Sequence, residues 1–197
     1  MLKISIDGPK GSGKSTLSSL FATELEARHE VVSYKHVYTP EQYKAIINGL
    51  DQTGIERDLI MERGIMSSWV YTWLRDGTFF CDDWYKPLSI SHFQEVISEF
   101  DAFVVLYASD ENWLRKRINK RLGDTGKGAN TREIRELAQT NELYRMFARF
   151  FKTQCSMDNV FMIDICSGLT PRSQYEAILE RARKVTGATP VPRNDLP

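Results

Sequence analysis

The chain has 197 residues, enough for one domain with a sizeable core. Apolar residues make up 42% and charged residues 26%, the ordinary balance of a soluble globular protein, and the formal net charge of +0 argues against a general nucleic-acid-binding surface. No apolar run is long enough to span a bilayer, and the three cysteines (Cys81, Cys155, Cys166) lack metal-ligand or redox spacing, so a reduced, cytoplasmic chain is expected.

The N-terminus leads directly into a predicted strand, Leu2 to Asp7, so no signal peptide is expected. Gly8-Pro9-Lys10-Gly11-Ser12-Gly13-Lys14-Ser15-Thr16 follows, then Leu17, Leu20, Phe21 and Leu25 at the spacing of one helix face. A second strand is predicted over Val31 to Val37, and a helix from Pro40 that stops at Gly49. A third strand, Asp58 to Met61, ends at Glu62-Arg63 and precedes a helix with Trp69, Val70, Trp73 and Leu74. A helix from Ile90 to Phe100 leads to a strand from Ala102 to Tyr107. Ser109 is the expected cap of the next helix, which carries Trp113, Leu114, Ile118 and Leu122. Gly123 to Gly128 reads as a mobile loop. Asn130 with Glu133 resembles a capping box for a long helix packing Ile134, Leu137, Leu143, Phe147 and Phe151. A strand from Val160 to Ile165 and a helix from Pro171 to Val185 close the pattern, and the tail 187–197 is expected to be loose. Five apolar strands separated by helices, with no internal repeat, predict one α/β domain over 1–186, with helices on both faces of a parallel sheet.

The glycine-rich run fits G-x-x-x-x-G-K-[ST] at every fixed position and lies between a strand and a helix, where the mechanism needs it. Gly8, Gly11 and Gly13 let backbone N–H groups close around a phosphate, and the helix dipole adds positive potential. Lys10, Ser12 and Thr16 belong to the same cradle, Lys14 would reach the β- and γ-phosphates, and Ser15 would ligate Mg²⁺. Asp51-Gln52-Thr53-Gly54 and Asn119-Lys120 look like pieces of a GTPase. The first follows a helix-like segment, and the second is followed by Arg121-Leu122 where a guanine-reading motif needs an aspartate.

Phosphoryl transfer needs neutralised charge, a metal anchor and a held acceptor. Glu62 at a strand end can hold Mg²⁺, and Arg63 beside it can bind an acceptor phosphate or steady the transition state. Arg117 and Arg121 are four apart on one helix face, before the glycine-containing loop, which suits a lid that closes over the phosphates. Aromatic residues crowd Trp69 to Tyr85 (Tyr71, Trp73, Phe79, Phe80 and Trp84 among them), and Trp69 or Tyr71 is the expected contact to a base. Asp82-Asp83 could contact a sugar hydroxyl or an amino group, or form a solvated turn.

The chain resembles the thymidylate kinase and deoxynucleoside kinase superfamily of P-loop enzymes. The resemblance is carried by Ile6 to Thr16, by Glu62-Arg63 with Ser67 and Tyr71, by Ala108-Ser109 before Arg117 and Arg121, and by Asn141-Glu142-Leu143-Tyr144. It implies the three-layer P-loop fold with a parallel five-stranded sheet, ATP as donor, Mg²⁺ and a homodimer. Two departures bear on the acceptor. Lys10 stands where thymidylate kinases carry an acid. The second strand ends Tyr34-Lys35-His36-Val37, without the Glu-Pro whose carboxylate serves deoxynucleoside kinases as base. A nucleoside hydroxyl benefits from a base, whereas a monophosphate needs only cations to hold it. Lys35 lies where thymidylate kinases have a phosphate-binding arginine, so a deoxynucleoside monophosphate is the preferred acceptor. A nucleoside, with His36 as base, and an ATP-binding regulatory module with a degenerate site are the alternatives.

Overall fold

A computed structural model describes residues 2–24, 29–33, 58–76, 90–125 and 134–186. The described strands are β1 (Lys3–Asp7), β2 (His29–Ser33), β3 (Asp58–Glu62), β4 (Ala102–Tyr107) and β5 (Val160–Asp164). The described helices are α1 (Lys14–Glu24), α2 (Ile65–Asp76), α3 (Ile90–Ser98), α4 (Glu111–Thr125), α5 (Leu137–Thr153) and α6 (Pro171–Thr186). The five strands form one sheet in the order β2-β3-β1-β4-β5, and every neighbouring pair is parallel. The α/β architecture expected from the alternating pattern is therefore present.

The period-2 geometry of the strands sorts their side chains into two cores. Leu59, Met61, Phe103 and Val105 pack with α2, α3 and α5. Ile4, Ile6, Ile60, Val104 and Leu106 pack on the other face with α1, α4 and α6. Strand β1 breaks the apolar rule on one face only. Its Ser5 and Asp7 are fully buried, although neither is apolar. Because β1 lies between β3 and β4, the strand order reverses there, and open α/β sheets form their ligand crevice at the carboxyl ends of strands at such a point. The glycine-rich loop leaves β1 at that point, and Glu62-Arg63 ends β3 beside it.

Three boundaries differ from the sequence expectation. Strand β2 already includes His29 and Glu30, ahead of the expected Val31, because they pair with Asp58 and Leu59 of β3; it is described as far as Ser33, and the expected continuation to Val37 lies outside the described residues. The start of α4 is capped by Asp110, whose Oδ1 accepts the Asn112 N–H at 2.9 Å, while the Ser109 N–H donates to Asp164 at 3.0 Å. Helix α4 also continues through Gly123 to Thr125, so the first part of the expected loop is helical. A glycine is tolerated there at a cost of about 1 kcal/mol.

Several expectations concern residues outside those described: Leu25, Lys35, His36, the helix from Pro40, Asp51 to Gly54, Phe79 to Tyr85, the rest of the loop to Gly128, the Asn130–Glu133 box and the tail from Gly187. No helix among the described residues is long and apolar enough to cross a membrane.

Candidate active site

The loop after β1 has Gly8 at φ 146°, a conformation that L side chains rarely adopt. It also leaves no room for a side chain, since a Cβ on Gly8 would lie 2.5 Å from the Leu106 carbonyl oxygen of β4. Helix α1 begins at Lys14, whose ammonium turns back into the loop and donates to the carbonyls of Gly8 at 2.7 Å and Pro9 at 2.8 Å. Burial lowers the Lys14 pKa to about 8; Asp7 and Glu62 raise it and Arg63 lowers it further. All three charged side chains are thus close enough to act on Lys14. Ser12 is buried in the loop, while Lys10, Ser15 and Thr16 are exposed.

The Ser15 hydroxyl donates to Glu62 Oε1 at 2.7 Å. Two oxygen donors from distant elements converge there, next to the glycine-rich loop. That donor set fits Mg²⁺, which takes one or two protein oxygens and completes its shell with water and substrate phosphates. Arg63 follows with φ 67°, uncommon for a residue with a Cβ. Its N–H donates to the Ile6 carbonyl at 3.0 Å, which holds the turn against β1.

Arg117 lies over the Trp113 ring at 4.7 Å, and its Nη1 is 3.6 Å from where a Cβ on Gly13 would sit. Its guanidinium is therefore beside the residue that precedes Lys14. Arg121 is one turn further along α4, and its side chain lies outside the described residues. The two expected base contacts differ sharply. Trp69 is buried, with its ring 3.8 Å from Phe93 and 5.0 Å from Phe147, and it is a core residue of α2. Tyr71 is 44% exposed on the same helix. The geometry thus favours Tyr71 over Trp69 as a residue that can meet a ligand.

Asp7, Ser67, Asn141 and Tyr144 are among the residues that carry the family resemblance, but sequence reasoning assigned them no individual role. Asp7 Oδ1 accepts the Ser67 N–H at 3.1 Å and the Ser67 hydroxyl, and the Ser67 hydroxyl also meets the Tyr144 phenol at 2.7 Å. Burial pushes the Asp7 pKa up to about 6 against the lowering effect of Ser67 and Lys14. Asn141, one turn before Tyr144 on α5, brackets Ala108 at the end of β4. It accepts the Ala108 N–H at 2.9 Å and donates to its carbonyl at 2.8 Å. The available signal was a carboxylate at the end of a strand otherwise apolar enough to be central.

The fold is that of P-loop kinases. YorR protein from Bacillus subtilis, solved in complex with phosphorylated GDP, matches with a TM-score of 0.61 and 17% identity, over 95% of this chain and 99% of that one. Thymidylate kinase from Candida albicans matches with a TM-score of 0.56 and 16% identity, over 94% and 92% of the two chains. Deoxyadenosine kinase from M. mycoides with bound dCTP matches with a TM-score of 0.52 and 18% identity, over 93% and 100%. No protein-family model and no curated protein matches the sequence.

Proposed function

We propose that the chain is an Mg²⁺-ATP-dependent kinase that phosphorylates a deoxynucleoside 5′-monophosphate. The observation that carries this reading is the charge pattern at the crevice. Lys14, Arg63 and Arg117 supply cations around the loop. The two carboxylates that act on Lys14 are both engaged, Asp7 buried against Ser67 and Glu62 bonded to Ser15. Such a cleft suits an acceptor that is already an anion better than a hydroxyl that needs a base.

In the mechanism, Gly8 to Thr16 bind the donor triphosphate, and the Lys14 ammonium leaves the loop carbonyls for its β- and γ-phosphate oxygens. Ser15 and Glu62 hold the metal, which when bound neutralises charge on the transferring group. Arg63, with Lys35, holds the acceptor phosphate in line. An acceptor oxygen forms the new bond to the γ-phosphorus as the bond to the bridging oxygen breaks, and ADP leaves with that electron pair. Arg117 and Arg121 stabilise the charge spread over the transferring group. Tyr71 is the aromatic contact to the base. A homodimer and a cytoplasmic setting complete the reading.

The test is ADP release from Mg²⁺-ATP against common nucleosides and their 5′-monophosphates, ribo and deoxy. Guanine nucleotides enter the panel first because YorR was solved with phosphorylated GDP. Stimulation by deoxynucleoside monophosphates, with nucleosides inert, supports the reading. Stimulation by nucleosides alone overturns it and makes His36 the base to examine. Silence across the panel with ATP still bound favours the regulatory alternative.

A further inference from the structure

We infer that Asp7 is a positioning residue for the acceptor side of the cleft: it seats the start of α2 so that the Glu62-Arg63 turn takes its left-handed form. The inference rests on the kinase reading given above.

Asp7 occupies the face of β1 that meets α2 and α5, where neighbouring strands present Met61, Phe103 and Val105. It is fully buried, and its Oδ2 makes no hydrogen bond of ordinary geometry to the described residues, although the Gly64 N–H also acts on the carboxylate. A buried carboxylate with an unsatisfied oxygen destabilises a fold, and an apolar side chain there would not incur that penalty. What the carboxylate achieves is visible in the chain that follows β3. The Arg63 N–H is bonded to Ile6, and Ser67 is bonded to Asp7 through both its N–H and its hydroxyl. Two successive residues of β1 thereby grip both ends of a five-residue turn. Gly64 between them is pressed so closely against Ser5 and Asp7 that a Cβ would lie 2.6 Å from Asp7 Oδ2. With both ends held and the middle flush against the strand, Arg63 is left at φ 67°. Tyr144 supports the same grip from α5 through the Ser67 hydroxyl.

A simple structural role would tie activity to stability. A positioning role separates them. Asp7→Ala should keep or raise Tm, leave Mg²⁺-ATP affinity unchanged or tighter, and lower kcat/KM for the acceptor at least tenfold. Asp7→Asn keeps an oxygen at the Oδ1 position, so it should hold Ser67 and retain most of the activity. Ser67→Ala should reproduce the acceptor-side loss, and the Asp7→Ala, Ser67→Ala double variant should be little worse than either alone. Full acceptor kcat/KM in Asp7→Ala would overturn the inference, as would ATP and acceptor affinities falling together with Tm. Amide exchange across residues 63–67 of the ligand-free protein separates this inference from the kinase reading. If the wild-type protein turns over no acceptor, the kinase reading fails. Exchange at least tenfold faster in Asp7→Ala, but not in Asp7→Asn, still supports the grip, and unchanged exchange removes it.

Discussion

The hydroxyl of Ser15 donates to Glu62 Oε1 at 2.7 Å, joining the first turn of α1 to the end of β3 across 47 residues of sequence. On the proposed reading both oxygens would be ligands to one hard cation, giving one binding position rather than two. Glu62→Gln and Ser15→Ala should each raise the Mg²⁺ concentration needed for half-maximal rate and lower kcat by roughly 100-fold. The double variant should lose little more than either single one, because both act on one ion. Tm should move by no more than about 4 °C, the shift that about 1 kcal/mol gives in a chain of this size. Titration of Mg²⁺ against initial rate, with thermal unfolding alongside, checks this.

Arg117 sits beside Gly13 and stacks on Trp113, next to the glycine-rich turn. On the proposed reading its guanidinium would meet charge that grows during transfer. Arg117→Ala should therefore lower kcat by roughly 100-fold while weakening ATP binding by less than about 10-fold. Arg121→Ala should act in the same direction. Steady-state kinetics with a direct ATP titration separate the two effects, and full turnover in both variants would remove α4 from the mechanism.

Asp7 gives a pH signature of definite sign. Burial, opposed by Ser67 and Lys14, raises its folded pKa to about 6 from an ordinary 3.8. Between these values the folded state holds more protons than the unfolded one, so this group's contribution to stability falls as pH rises from about 4 to about 6. Above pH 6 the contribution is level, at a cost of roughly 3 kcal/mol relative to acid. Asp7→Asn should abolish that slope and be more stable than the wild type at pH 7. Denaturant unfolding of both proteins at pH 4, 5, 6 and 7 reads the difference. Parallel curves would show that Asp7 titrates normally.

Gly64 has no room for a methyl group, because a Cβ would run into the Ser5 hydroxyl and lie 2.6 Å from Asp7 Oδ2. Gly64→Ala must push α2 away from β1. Overpacking of this kind costs about 1–3 kcal/mol, so Tm should fall by about 2–12 °C. Acceptor KM should rise along with it, since Arg63 is carried by the same turn. Adding Ser5→Ala removes the hydroxyl and should restore part of the lost stability.

The sequence alone carried the strand–helix alternation, the glycine-rich loop and the Glu62-Arg63 turn, because each is written in local periodicity or adjacent residues. It missed the cap at Asp110 by one residue, since neighbouring Ser109 and Asp110 can both cap and only the helix start distinguishes them. It could not rank Trp69 against Tyr71, which are alike in type; their exposure differs because α2 packs Trp69 against Phe93 and Phe147. Nor could it see why β1 ends in a carboxylate. Asp7 finds Ser67 60 residues away, and Ser67 finds Tyr144 a further 77 residues on. The sequence by itself determined the alternation of strands and helices and the glycine-rich loop between β1 and α1, through interactions between near neighbours in the chain. Only the tertiary structure decided that β1 lies between β3 and β4, and so which distant polar groups share its buried end, because strand order follows from how whole elements pack.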